Sequence, residues 1–193
     1  MPLYAATIFV SAFLLFLVQP VVAKQILPWF GGSATVWTTC LVFFQAVLLL
    51  GYLYADRLTR LSMRRQICFH IVAATMAIVA AVVFQGDPEW IPAESDYPIF
   101  GLVAFLAASF GVPFFVLSAT GPLVQSWFTA ARPATSPYRL YALSNLGSLL
   151  ALVTYANDPV PGWMVVVKPR LPATLPADLA HYAEHEEDFP QQS

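Results

Sequence analysis

The sequence predicts an all-α fold, a polytopic transmembrane helix bundle of about five spans with a short irregular soluble tail. Three observations predict it. The 193 residues are 59% hydrophobic and 10% charged, against about 25% charged in ordinary soluble domains, and the mean hydropathy is +0.68. The apolar residues fall in long runs, each near the roughly 20 residues that cross a bilayer. The charges gather between these runs, with no basic face of the kind nucleic acid requires. The expected partners are the lipid bilayer and other transmembrane helices, with no role for nucleic acid.

The first run, Leu3 to Ala23, has something of a signal peptide in the small residues before Lys24. It lacks a basic n-region and exceeds the usual apolar core of about 7–15 residues, so it reads as a retained first span. Pro20 removes one backbone donor near its end and should loosen the last turn there. Pro28, Gly31 and Gly32 then supply the chemistry of a tight bend. The chain returns as a second span from about Val36 to Ala55.

After it comes the only dense arginine cluster, Arg57, Arg60, Arg64 and Arg65, which the positive-inside tendency holds in the cytoplasm. A third span from about Ile67 to Phe84 leads into a loop with Asp87, Glu89, Glu94 and Asp96 and no basic residue. Trp29, Trp90 and Tyr97 flank these segments as headgroup-level anchors. The fourth span, about Ile99 to Ser118, carries Gly101, Ala104, Ala107, Ala108 and Gly111, small residues that let a neighbour approach. The Gly111-Val112-Pro113 step should kink it. Thr120 to Pro137 reads as a short helix lying along the interface, and about Leu140 to Tyr155 as a fifth span, the shortest, in need of neighbours. Arg132 and Arg139 return that connection to the cytoplasmic side. Loop charges alternate consistently if the N-terminus is cytoplasmic.

Residues 1–156 thus form the membrane module, and 157–193 a soluble tail rich in proline and then in acid. Trp163 to Lys168 has strand character but no partner strand, and a lone strand is unstable in water. His181 and His185 are four apart without a third ligand, so the tail reads as solvated, not as a metal site. Cys40 and Cys68 fit neither a disulfide framework nor a metal-ligand spacing. No cofactor is expected.

Polar side chains at membrane depth must find partners, so they are where function is sought. Four qualify as lining a solute path: Gln19, Lys24, Gln45 and Asn145. The plainer reading gives Lys24 to the headgroups and the amides to interhelical bonds. Tyr141 and Tyr155 read as interface anchors. His70 could titrate but has no charged partner nearby in the sequence.

The pattern Gln19-Pro20, Lys24, Leu27-Pro28, Gly31-Gly32, Val36-Trp37, Phe44-Gln45, Gly51-Tyr52 and Tyr138 through Ser148 resembles the N-terminal membrane part of bacterial fused membrane/spermidine-synthase-like proteins. The resemblance covers roughly Ala6 to Leu152. It implies a major-facilitator-like module in a bacterial inner membrane, followed in that family by more helices and an aminopropyltransferase-like domain. This chain has no glycine-rich strand-to-helix turn for such a domain, so it is not expected to be an enzyme by itself. After Leu152 the tail is similar to a piece of a bacterial patatin-like protein, without the Gly-x-Ser-x-Gly elbow of a lipase. A truncated or recombined reading frame would explain both. The resemblance implies a half-transporter or membrane anchor that works with copies of itself or with a separate C-terminal half. The alternatives are a regulatory or inert remnant and a membrane subunit of a polyamine-synthesis system.

Overall fold

The computed structural model describes residues 2–83, 98–133 and 138–157. The acidic loop, the connection at 134–137 and the tail from 158 onward, with the expectations placed on them, lie outside the described residues. Within them the chain is helical throughout apart from short turns: α1 (Pro2–Gln25), α2 (Leu27–Phe30), α3 (Ala34–Thr59), α4 (Met63–Val83), α5 (Pro98–Leu106), a π-helical turn (Ala107–Gly111), α6 (Val112–Ala131) and α7 (Tyr138–Asn157).

Local chemistry explains the boundaries. α1 runs five residues past Pro20 to Gln25, so the expected loosening does not end it; a membrane helix tolerates the missing donor. The bend falls at α2, where Pro28 sits in the first turn and the Gly31 N–H closes onto the Leu27 carbonyl at 2.8 Å. Gly31 has φ +77° and ψ 166°, a combination open essentially to glycine alone. Ser33 then caps α3 by accepting the Val36 N–H at 3.3 Å.

Two expectations change. The separate interfacial helix is absent, because Ile99–Ala131 is one continuous 33-residue apolar stretch. Pro122 lies inside α6, and the segment beyond it buries Leu123, Val124 and Phe128 against neighbours. Before Pro113, which cannot donate to the Ser109 carbonyl, the helix widens into the π-turn. The fifth helix is also less marginal than its polarity suggests. α7 is 20 residues long and packs along α1 more extensively than any other pair of helices.

Among the described residues four helical stretches are long and apolar enough to cross a membrane: Pro2–Gln25, Ala34–Thr59, Met63–Val83 and Ile99–Ala131. α7 runs parallel to α1, with Leu140 near Ile8 and Ala151 near Leu17 and Val21, so it shares the depth of α1. α3 and α6 form a second parallel pair, matched from Phe44 and Phe114 (4.8 Å between ring centroids) to Leu58 and Leu123. Large apolar side chains face outward, Leu49 at 69% and Ile78 at 66% exposure, a surface that lipid solvates and water does not. The chain is an integral membrane protein.

Helix direction alternates from α1 to α3 to α4 to α5–α6 to α7. One end of the bundle holds Tyr4 edge-on to Phe128, with Leu58, Trp127 and Leu140 nearby. Arg57, Arg60, Arg64, Arg65, Arg132 and Arg139 all belong to that end, and all are exposed. Lys24 lies at the other end, beyond the core of Ile26, Cys40, Phe44, Phe105 and Phe114. Asp56 pairs with Arg60 at 2.9 Å, but both are solvated and such a pair contributes little.

Tight seams hold the bundle, since lipid offers no hydrophobic drive to bring helices together. A Cβ built on Gly147 of α7 would stand 2.7 Å from the Phe9 carbonyl oxygen of α1. One on Gly51 of α3 would collide with the Ser118 hydroxyl of α6 and reach 3.0 Å from the Phe115 carbonyl oxygen. Glycine permits both contacts.

Candidate functional site

Four helices converge on a cavity of about 320 Å³. α1 brings Ser11 and Phe16, α3 brings Tyr52, α6 brings Ser118 and Gln125, and α7 brings Tyr141 and Ser144. Ser11 and Ser118 are buried; each donates its hydroxyl hydrogen to its own helix, to the Ile8 carbonyl at 3.1 Å and the Phe115 carbonyl at 2.7 Å. Their oxygens keep lone pairs for an incoming donor. Pro122 denies the Ser118 carbonyl its α-helical donor, and Pro20 does the same to the carbonyl of Phe16. Tyr52 and Tyr141, both about half exposed, contribute phenol groups to the lining. Among the described residues the lining holds hydroxyls, an amide and apolar surface, and no charged side chain.

A larger open groove of about 640 Å³ runs between α3 and α5, past Thr35, Thr38, Thr39 and Val103. Thr38 and Thr39 donate to their own helix at 2.9 and 2.8 Å, so this groove presents mainly apolar surface.

A second polar cluster lies toward the arginine end, between α3, α4 and α6. Gln66 is buried; its amide nitrogen donates to the Leu61 carbonyl at 2.8 Å and its oxygen accepts from Trp127 Nε1 at 2.8 Å. That one side chain ties the α3–α4 turn to α6. One turn further along α4, buried His70 meets Thr120 through Nε2 at 3.2 Å. The rings of Tyr54 and Trp127 lie beside it, at centroid distances of 6.4 and 6.1 Å.

The residues expected to line a path are placed elsewhere. Gln19 is half-buried and turns its amide back on the Leu15 carbonyl of its own helix at 3.4 Å. Lys24 is exposed in the last turn of α1, and Gln45 and Asn145 are exposed on α3 and α7. None of the four belongs to the cavity lining, although Ser144, next to Asn145, does. Pro20 lies within α1, while Pro28, Gly31 and Gly32 fall in the bend. The cavity serines, Gln66 and the Thr120 partner of His70 were not singled out by the sequence reading. The available signal was Ser118 followed closely by Gly121-Pro122, a hydroxyl beside a backbone group deprived of its donor.

Cys40 is buried and Cys68 exposed, both as free thiols. Among the described residues no three His, Cys, Asp or Glu side chains come together to hold a metal. Comparison of the chain with protein-family models, curated proteins and solved structures finds no match.

Proposed function

We propose that this chain is one half of a membrane path for a small, neutral, hydrogen-bonding solute, completed by further transmembrane helices. The supporting observation is the cavity bounded by Ser11, Ser118, Gln125 and Ser144, polar yet uncharged, inside a predominantly apolar bundle. Polar groups at membrane depth usually line aqueous space or solute pathways. No carboxylate stands among the described lining residues, which disfavours a polyamine as the solute, because an ammonium leaving water requires an anionic partner. Gln45 and Asn145, exposed on the outer faces of α3 and α7, are the contacts we assign to added helices, from a second copy or from a separate C-terminal half. The resemblance to the spermidine-synthase-like membrane module fits this incomplete assembly. The arginine end would face the cytoplasm of a bacterial inner membrane, with the N-terminus on the same side. No catalytic role is proposed.

The test uses a background with Cys40→Ala and Cys68→Ala, reconstituted in liposomes. Ser144→Cys should react with a membrane-impermeant thiol reagent, whereas Leu149→Cys, on a lipid-facing position, should not. Swelling in glycerol or urea should then fall on labelling, and spermidine should not enter. Equal labelling of the two positions would remove the path. Labelling of Ser144→Cys without any solute flux would leave the second reading, a membrane anchor, which the large exposed faces of α4 and α7 also favour.

A further inference from the structure

We propose that Tyr54 and His70 form a buried proton-binding site at the seam of α3, α4 and α6, independent of the solute path. The tautomer of His70 is set by Thr120. The Thr120 hydroxyl oxygen lies 2.8 Å from the Val116 carbonyl oxygen, a separation that requires the hydroxyl hydrogen between them. Thr120 has one hydrogen, so toward His70 Nε2, at 3.2 Å, its oxygen can only accept. His70 Nε2 therefore carries the proton, and Nδ1 presents a bare lone pair.

That lone pair is buried and has no hydrogen-bond partner, and the Tyr54 hydroxyl is likewise buried and unpartnered. The two rings are neighbours, 6.4 Å apart between centroids and inclined by 31°. One group is an acceptor lacking a donor, the other a donor lacking an acceptor. A shift of the Tyr54 side chain about χ1, or one water between the two groups, would let Tyr54 donate to Nδ1. When a proton from solvent adds to Nδ1, the roles reverse. Nδ1–H then donates to the Tyr54 oxygen, Nε2–H stays on Thr120, and the positive charge rests on the imidazole.

Among the described residues the surroundings leave that titration to this pair. The π-turn and α6, both packed on α4, contain no ionisable side chain. From α3, Tyr54 faces His70, while Tyr52 lines the cavity, Cys40 is buried toward the opposite end, and Asp56 and Arg57 are exposed. On α4 itself Arg64, Arg65 and Cys68 are exposed. Trp127, inclined by 80° to the imidazole at 6.1 Å, is a built-in reporter, because an imidazolium quenches a neighbouring indole.

The experiment uses the full chain in lipid nanodiscs, with His181→Gln and His185→Gln leaving His70 as the sole histidine, its ring labelled with nitrogen-15. Solid-state spectra at high pH should show Nε2 protonated and Nδ1 bare but hydrogen-bonded. Lowering the pH should protonate Nδ1 with one midpoint. Tyr54→Phe should remove the hydrogen-bond shift of Nδ1 and move the midpoint by about half a pH unit or more, roughly a threefold change in proton affinity. Trp127 emission, read with the other tryptophans replaced by Phe, should follow the same midpoint. A proton on Nδ1 at high pH, no titration, or a Tyr54→Phe spectrum identical to the parent would each overturn the proposal. Tyr54→Phe removes one oxygen from the fold, so the comparison does not depend on recovering a histidine variant.

Discussion

Replacing Gly147 with alanine tests the packing of the bundle most directly. The new Cβ would sit 2.7 Å from the Phe9 carbonyl oxygen, 3.4 Å from the Phe13 nitrogen and 3.4 Å from Phe9 Cδ2. The nearest atom belongs to backbone and cannot rotate aside, so α7 must withdraw from α1 by about 0.7 Å to restore ordinary contact at 3.4 Å. A gap of roughly 0.5–1 Å already forfeits a quarter to a half of each dispersion contact along the seam. Overpacking of this kind costs about 1–3 kcal/mol, more than the roughly 1 kcal/mol that alanine gains over glycine as a helix former. Gly111→Ala is the control, because its Cβ meets nothing nearer than 4.0 Å. Unfolding of both variants in mixed micelles, followed by circular dichroism as SDS is increased, gives the comparison. Gly147→Ala should unfold at clearly lower SDS and Gly111→Ala at parental SDS or above. Equal midpoints for the two would refute the close approach of α1 and α7.

Three further outcomes follow from the same geometry. Gly51→Ala should destabilise by about 1–3 kcal/mol, and adding Ser118→Ala should recover part of the loss, since the hydroxyl can be removed but the Phe115 carbonyl cannot; a double-mutant cycle reads the coupling. Gln66→Leu should cost about 1–3 kcal/mol by leaving the Trp127 N–H without its partner, and Trp127 emission should shift to the blue as the hydrogen bond is lost. Gly31→Ala should cost about 1–3 kcal/mol through its backbone conformation, whereas Gly32→Ala, with nothing within 4 Å, should leave thermal stability unchanged.

Apolar run length located every long helix, because a helix is the simplest way for one segment to satisfy its own backbone in lipid. The segment after Thr120 read as interfacial because Leu123, Val124, Trp127 and Phe128 recur at helical spacing beside Gln125 and Ser126, and the same pattern serves a helix that packs that face on its neighbours. The fifth helix looked weak because Ser144, Asn145 and Ser148 lower its hydropathy, and its dependence on α1 is a property of Gly147 facing Phe9, two positions far apart in the chain. The site was less legible. Large isolated amides drew attention to Gln19, Gln45 and Asn145, yet the cavity is bounded by small hydroxyls that are ordinary in any membrane helix. Gln66 was hidden beside Arg64 and Arg65, where a solvated loop is the natural reading. His70 seemed partnerless because Thr120 stands fifty positions later.

The parallel pairing of α1 with α7 bears on how the protein is made. α1 finds its principal companion among the described helices in α7, the last of them, so that seam cannot form until the segments between the two have been synthesised. During that interval the flank carrying Phe9 and Phe13 is open to lipid, and Gly147, with no side chain to intervene, is what lets α7 cover it.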